Sequence, residues 1–278
     1  MARALSQKFA QSLGQPFIVI ARGGAGGTVG TATAATAAPD GYTILLGVVS
    51  PMAVNVTLYG SKLPYHPLKH FAPVSMITKV PQMLSVHPSV QAVSVNQLVD
   101  LAKAPGSKLN YGSAGSGTTG HLVGELLKKR AGISLTHIPF KGSGPALSAL
   151  LSADVGVMFS GPPAVLGMSQ AGRLRVLAGS GTMRTPVLPD VPTFIESGLN
   201  IDVTSWYCLV APAATPQPII QRLSSEFTKI VTTSEVVAAF DKEGYTLIGS
   251  TPAATGQMIR AELKRWEAVV KASGWKLQ

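Results

Sequence analysis

Hydrophobic residues along the chain recur in short runs that alternate with stretches of helical spacing. Short apolar runs bounded by glycine, proline or aspartate are typical of buried strands, and apolar residues three or four apart are typical of amphipathic helices. This pattern predicts strands at residues 17–20, 42–49, 74–77, 83–86, 109–114, 135–140, 155–159 and 174–179, with a strand-like run at 203–211. It predicts helices at residues 1–13, 31–38, 95–104, 121–131, 146–153, 164–172, 216–232, 235–243 and 253–273.

The alternation of strands and helices predicts an α/β fold that is built from βαβ units with mostly parallel sheets. Because the chain has 278 residues, we expect two α/β lobes rather than one sheet. Its 46% hydrophobic and 13% charged residues exclude a disordered or coiled-coil chain. The longest apolar runs, such as 42–49, are too short to cross a bilayer, and the single Cys208 cannot form an internal disulfide.

The net charge of +10 raises the possibility of nucleic-acid binding. The basic residues are scattered, however, and the densest cluster is residues 128–130, at the end of a predicted helix. Aromatic residues make up only 6% of the chain, which argues against a protein that stacks bases. We therefore expect a soluble basic protein with no nucleic-acid partner, whose charge favours small anionic ligands.

Three glycine-rich turns, at residues 23–28, 113–119 and 141–146, each follow a predicted strand and precede a predicted helix. The first amides of a helix have no partner within the helix and lie at the positive end of its dipole, so they bind anions. Glycine lets the backbone approach a ligand closely, and the hydroxyls of the second and third turns are additional donors. The three turns together predict a site for a small anion.

The second turn also matches a dinucleotide-binding pattern, Gly115-x-Gly117-x-x-Gly120. The acidic residue that should bind the ribose is missing, because Lys141 stands at the corresponding place. Lysine would suit a 2′-phosphate, so an NADP-dependent oxidoreductase stays open as the alternative function. No Gly-x-Ser-x-Gly sequence is present, which disfavours a hydrolase.

Three further features are weaker candidates. His66 and His70 are four residues apart, but Pro67 lies between them and no other ligand type joins them, so we expect no metal site. His121 begins a predicted helix beside the second turn, where it either packs and caps or contacts a ligand. Trp206 lies in the strand-like run, where core packing and a cleft wall are both open.

The order of motifs along the whole chain resembles the Bug-type, or TctC-like, extracytoplasmic solute receptors of tripartite tricarboxylate transporters. Each motif is short, and their succession is specific. The motifs are GAGGTVG at 24–30, APDGYT at 38–43, LPY at 63–65, FAPV at 71–74, KLNYGSAG at 108–115, HL at 121–122, HIPFKGS at 137–143, LPDVPT at 188–193 and AP at 211–212.

The resemblance implies a two-lobed, type II periplasmic-binding-protein (Venus-flytrap) architecture. Residues 1–87 with 210–278 would form lobe one and residues 88–209 lobe two, with crossovers near Pro88 and residues 208–211. The implied function is capture of a small carboxylate in an interlobe cleft for a tripartite tricarboxylate transporter, without catalysis, cofactor or metal. The implied partners are a small organic acid and the membrane permease subunits, and the chain would be a monomer. The expected ligand-binding residues are Gly26, Thr28, Ser116, Thr118, Thr119, His121, Gly142, Ser143, Ala146, Ser160 and Trp206.

Two departures from the family pattern bear on these expectations. Family members are exported to the periplasm, yet residues 1–13 read as an amphipathic helix with no apolar signal core before it. The family's first strand and Pro-Gly-Gly loop would precede Met1, so we expect either a misassigned start or a truncated chain. Ser160 stands where the family often has aspartate, which puts recognition of an amino-acid-like ligand in doubt.

Overall fold

The computed structural model describes residues 1–273, which divide into two compact units. Among these residues, unit 1 comprises residues 1–79 and 206–273, and unit 2 is Val80–Ser205. The sequence predicts lobe boundaries at 87/88 and 209/210. The units instead divide upstream of both places, within two long strands, and residues 274–278 of the expected lobe one lie outside the described residues.

Unit 1 contains a four-stranded sheet with helices around it. Its strands, in the order β1-β8-β2-β9, are β1 (Leu45–Val48), β8 (Thr204–Pro212), β2 (Phe71–Pro81) and β9 (Thr246–Leu247). Its helices are α1 (Ala2–Leu13), α2 (Thr28–Ala35), α3 (Asn55–Tyr59), α4 (Pro67–His70), α9 (Gln217–Val231), α10 (Ser234–Lys242) and α11 (Pro252–Ser273). Short 3-10 turns at Ala25–Gly27 and Gly60–Lys62 and a π-helical turn at Ser50–Val54 complete it.

The core of unit 1 lies between its sheet and the amphipathic helices. Phe9 of α1 stacks on Phe227 of α9 at a centroid distance of 6.1 Å, and both are buried against Val74 and Ile77 of β2. The sequence predicts mostly parallel sheets, which is wrong for two pairings of this unit: β1·β8 and β2·β9 are antiparallel.

Unit 2 has a five-stranded sheet in the order β5-β4-β6-β3-β7, flanked by helices. Strands β4 and β5 pair in parallel, as do β4 and β6, whereas β3 is antiparallel to both β6 and β7. Two of the four pairings are thus parallel and two are antiparallel, because β3 alone runs against the other four strands. The predicted parallel arrangement holds for β4, β5 and β6 and not for the pairings of β3. The strands are β3 (Met83–Val86), β4 (Asn110–Ser113), β5 (Thr136–Pro139), β6 (Val157–Ser160) and β7 (Arg175–Gly179), and the helices are α5 (Val95–Lys103), α6 (Thr119–Ala131), α7 (Ser143–Leu151) and α8 (Pro162–Gln170).

Helix α6 packs very closely on the sheet of unit 2, and this contact positions its start. A Cβ atom at Gly124 would overlap the ring of Tyr111 on β4. At Gly120 it would lie 2.5 Å from the carbonyl oxygen of Phe159 on β6. Gly120 therefore allows the start of α6 to lie directly against the end of β6, and Gly124 allows the helix to lie against Tyr111 of β4.

The predicted strand at residues 17–20 is absent. The segment is irregular, with Ile18 and Ile20 exposed by 83% and 73%, and only Phe17 packs inward, at 5.2 Å from the ring of Phe9. Because no described strand pairs with this segment, its apolar run has no sheet to join.

Candidate functional site

The second glycine turn joins β4, which ends at Ser113, to α6, which begins at Thr119. Thr118 is the residue before the helix, but its hydroxyl donates backward to the carbonyl oxygen of Gly115 (2.7 Å) and caps no helix amide. A hydroxyl at this position usually accepts from the second or third helix amide. Thr118 therefore leaves the first-turn amides of α6 without a side-chain cap, and uncapped helix amides are donors that suit an anion.

The third glycine turn gives a second uncapped helix start. Helix α7 begins at Ser143 after Gly142, whose φ of 114° suits glycine and few other residues. No side chain caps this helix. The amide of Gly142 donates to the carbonyl oxygen of Ala114 (3.1 Å), so the third turn is bonded to the second. Two helix starts with unsatisfied donors are thus held next to each other in unit 2.

A chain of buried polar side chains ends at the start of α6. Gln82 Nε2 donates to Ser205 Oγ (3.0 Å), and Ser205 Oγ donates to Thr119 Oγ1 (2.9 Å). All three side chains are less than 7% exposed. Thr119 Oγ1 accepts the proton of Ser205, and no hydrogen bond among the described residues uses the proton of Thr119 itself. A hydroxyl can accept and donate at once, so this proton can be donated to a ligand.

Ser160, the last residue of β6, adds a second group of this kind. It is 3% exposed, and its Oγ has no hydrogen-bond partner within the described part of the chain. Such buried, unpaired hydroxyls cost free energy and require an explanation in a native structure. A bound ligand would explain the unpaired Ser160 hydroxyl. Ser160 ends β6 next to Phe159, and the start of α6 lies against Phe159, so Ser160 is close to the proposed donors.

Sequence analysis misses Gln82 and Ser205. They are 123 residues apart, and only the folded chain brings them together. Gln82 does carry a signal, because it is the one amide in the otherwise apolar run of residues 80–84. Ser205, within β8, carries none.

His121 and His137 form a stacked histidine pair behind the second turn. Their rings are 3.8 Å apart and nearly parallel, at 8°. His121 is 9% exposed, and its Nδ1 accepts from the amide of Gly117 at 3.3 Å. Burial lowers the pKa of His121 to about 3 and that of His137 to about 4. His121 thus holds the turn as a neutral ring, and its direct contact with a ligand stays a prediction.

The remaining predicted residues of unit 2 differ in exposure. Ser116 is half-buried in the second turn, Ser143 is exposed at the start of α7, and Ala146 is fully buried under that helix. The Ser143 hydroxyl is therefore free to meet a ligand. Ala146 contributes to the helix start through its packing.

The first glycine turn belongs to unit 1 and contains Gly26 and Thr28. Gly26 adopts φ 61°, and Thr28 begins α2 with its Oγ1 accepting from Asn55 Nδ2 at 3.0 Å. Asn55 is fully buried, and its Oδ1 has no partner among the described residues. The turn therefore carries an unsatisfied buried acceptor beside a helix start, and its contribution to binding stays a prediction.

Trp206 lies in the core of unit 1. It is 0% exposed, and its indole N–H donates to Glu262 Oε2 at 2.7 Å, which also accepts from Trp266 at 3.0 Å. This geometry favours core packing, because the ring is buried and its one polar atom is bonded within the protein, and a contact of Trp206 with a ligand stays a prediction.

The described residues give no support for a metal site or for a membrane-spanning helix. Within 1–273 there is no group of three or more metal-ligating side chains. His66 and His70 instead bond within their own segment, His66 Nδ1 accepting from the Leu68 amide and His70 Nδ1 from the His66 amide. None of the described helices has the length and apolar character that a membrane span needs.

Two α/β units, between which the chain passes twice, are typical of two-lobed solute-binding proteins. Residues 1–275 match the sequence model of the family described as "Tripartite tricarboxylate transporter family receptor" (TctC). The chain belongs to this family of solute receptors, which is a non-catalytic class. The match supports the receptor interpretation and not the NADP-dependent alternative.

Individual relatives are similar to this chain over almost its full length. Protein BugT of Bordetella pertussis is 38% identical over 280 residues, which cover 100% of this chain and 86% of BugT. A solved structure of a periplasmic transporter is 34% identical with a TM-score of 0.96, covering 100% of this chain and 93% of that one. R. palustris Rpa4515 with adipate is 32% identical with a TM-score of 0.94, covering 98% and 91%.

Proposed function

We propose that this receptor binds a small organic acid through a carboxylate held at the starts of α6 and α7. The observation that carries the proposal is the pair of uncapped helix starts, joined by the Gly142–Ala114 hydrogen bond, with the Thr119 proton unused beside them. A carboxylate satisfies several such donors at once, and each charge-assisted hydrogen bond contributes about 1.5–3 kcal/mol. The adipate in Rpa4515 supports a dicarboxylate as the ligand.

The net charge of the receptor favours the same class of ligand. A chain with 23 basic and 13 acidic residues attracts anions at long range and raises their rate of encounter. This attraction is not selective, so we assign selectivity to the helix starts and their hydroxyls, whose positions are fixed.

Calorimetric titration with a matched set of compounds tests the proposal. Adipate and malate are compared with adipamide, which keeps the length of adipate and removes its charges. NADP and a mixed-sequence duplex DNA test the two rival functions. We expect saturable binding of at least one dicarboxylate, none of adipamide, and none of NADP. Binding of NADP without dicarboxylate binding would overturn the proposal.

The same titration, applied to Thr28→Val, tests whether the first glycine turn contributes. This change removes the hydroxyl that Asn55 contacts and keeps the shape of the side chain. Weaker dicarboxylate binding would support Gly26 and Thr28 as ligand residues, and unchanged affinity would remove them.

We further propose that the receptor works in the periplasm, as a monomer, and delivers its ligand to the permease subunits of a tripartite tricarboxylate transporter. The family match and the solved periplasmic transporter support this assignment. Fractionation of the native host with an antibody to the receptor tests the location, and light scattering of the pure protein tests the monomer. Co-purification of the permease subunits with the ligand-loaded receptor tests the partner.

A further inference from the structure

The stacked histidine pair is bonded to two amides of the second glycine turn. His121 Nδ1 accepts directly from the Gly117 amide at 3.3 Å. His137 acts through a serine: its Nε2 is 2.7 Å from Ser113 Oγ, which accepts from the Gly115 amide at 3.2 Å and donates to the Gly115 carbonyl at 3.1 Å. Both links end on glycines of the turn that precedes α6.

The two glycines need such support because of their backbone conformation. Gly115 has φ 132° and Gly117 has φ 80°. Glycine adopts positive φ without steric cost, but it adopts negative φ equally well, so the residue type alone does not fix this conformation. Without side-chain bonds the turn would sample several conformations, and a site for an anion requires its amides to point in one direction.

The surroundings of the pair keep both rings neutral. Tyr111 on β4 lies 4.8 Å from the His137 ring and 6.5 Å from the His121 ring, and its hydroxyl donates to Glu125 at 2.8 Å. Glu125 also receives Lys128 at 2.8 Å and lies 3.9 Å from His121 Nε2. Burial is the main cause of the lowered pKa of both rings. The neighbouring His137 and Lys128 lower the pKa of His121 further, whereas for His137 Glu125 raises the pKa and Lys128 lowers it.

We propose that the stacked histidine pair is a positioning element of the ligand site, which holds the second glycine turn through neutral imidazoles. The inference rests on the proposed function for its effect on affinity, and on the geometry alone for its effect on the turn. A neutral His121 accepts at Nδ1, whereas a protonated ring would place a second donor against the Gly117 amide. His137 acts indirectly and as a donor: because Ser113 Oγ gives its proton to the Gly115 carbonyl, His137 Nε2 donates to Ser113 Oγ and holds that hydroxyl against Gly115.

Conservative and disruptive variants separate positioning from general stability. His121→Asn keeps an acceptor near the place of Nδ1, and His137→Gln keeps a polar atom near the place of Nε2. His121→Leu and His137→Leu remove these atoms and keep an apolar side chain. For each variant we would measure the melting temperature, the Kd of adipate at pH 7.5, and the exchange rates of the Gly115 and Gly117 amides without ligand.

We expect both leucine variants to weaken adipate binding at least tenfold and to speed exchange of the affected amide at least tenfold. The asparagine and glutamine variants should stay within threefold of the unsubstituted protein in both measurements. Equal affinity and exchange in folded leucine variants would overturn the inference. If the leucine variants do not fold, Ser113→Ala tests the same link to Gly115, with the same expected increase in exchange.

A pH titration followed by NMR provides a readout that a merely structural role would not move. In the unsubstituted protein the Gly115 and Gly117 amide shifts should move together with the two histidine rings, with midpoints well below 6. In the His121→Asn, His137→Gln double variant these amides should not titrate in that range. Rings that titrate near 6.5, or amides that ignore them, would refute the inference.

These measurements also separate the inference from the proposed function. If the unsubstituted protein binds no carboxylate, the proposed function fails, and the exchange rates still decide the positioning role. If it binds adipate and the leucine variants bind equally well, only the positioning role fails.

Discussion

Replacing Thr119 with valine is the most informative single change at the proposed site. The side chain keeps its shape and loses its hydroxyl, which accepts from Ser205 and has a proton free for a ligand. Two separate losses follow, one in the folded protein without ligand and one in the complex.

The expected magnitudes come from these two hydrogen bonds. Without Thr119 Oγ1, the buried Ser205 proton has no acceptor, and an unsatisfied buried donor costs about 1–3 kcal/mol of unfolding free energy. In the complex, a charge-assisted hydrogen bond worth about 1.5–3 kcal/mol is lost, which is about a ten- to 150-fold weaker Kd.

Thr215→Val is the matched control. Thr215 is a buried threonine, 3% exposed, whose Oγ1 has no partner in the described part of the chain. The same chemical change there should leave adipate affinity unchanged and unfolding free energy equal or slightly higher, since it removes an unpaired polar group.

Urea unfolding and calorimetric titration with adipate measure the two effects. The reasoning predicts that Thr119→Val lowers both stability and affinity while Thr215→Val lowers neither. If Thr119→Val binds adipate as tightly as the control variant does, the α6 hydroxyl does not contact the ligand, and the site described above is wrong at that residue.

Three further changes test the backbone and the electrostatics of unit 2 by urea unfolding. Gly142→Ala should lower the unfolding free energy by about 1–3 kcal/mol, because alanine is strained at φ 114°. Gly144→Ala is its control and should not lower it, since Gly144 also has no neighbour within 4 Å but does not have a positive φ. Gly124→Ala should lower the unfolding free energy by about 1–3 kcal/mol or more, because the added methyl group overlaps Tyr111. Its control is Gly167→Ala, at a position within α8 that has no neighbour within 4 Å, which should raise the unfolding free energy by about 0.5–1 kcal/mol. Acidification from pH 6.5 to about pH 4 should lower the unfolding free energy by up to about 1.4 kcal/mol per pH unit for each ring of the stacked histidine pair.

The sign of the pH effect follows from the direction of the pKa shifts. Both rings have a lowered pKa in the folded protein, so the unfolded chain binds more protons between pH 6.5 and 4 and stability falls as pH falls. The double variant His121→Asn, His137→Gln should show a smaller slope over this range. Equal slopes would contradict the burial of neutral rings, and equal stabilities within either glycine pair would contradict the backbone argument.

The local pattern predicts most elements of unit 2 because strand, turn and helix signals coincide there. Predicted helices at 121–131 and 146–153 correspond to α6 and α7, which begin two and three residues earlier. The difference lies in the glycine turns, where the sequence marks a turn but not the residue at which helical geometry begins.

Features that depend on distant parts of the chain escape such prediction. The apolar run at 17–20 looks like a strand, but strand formation needs a neighbour, and none is present among the described residues. The Gln82–Ser205–Thr119 chain joins residues that are 123 and 86 positions apart. The stacking of His121 on His137 likewise requires the parallel pairing of β4 and β5 and the packing of α6 on β4.

A crystal structure of the receptor with adipate tests the central claim most directly. The account predicts carboxylate oxygens at about 2.7–3.2 Å from backbone amides in the first turns of α6 and α7 and from the Thr119 hydroxyl. A complex in which both carboxylates lie away from these two helix starts would contradict it.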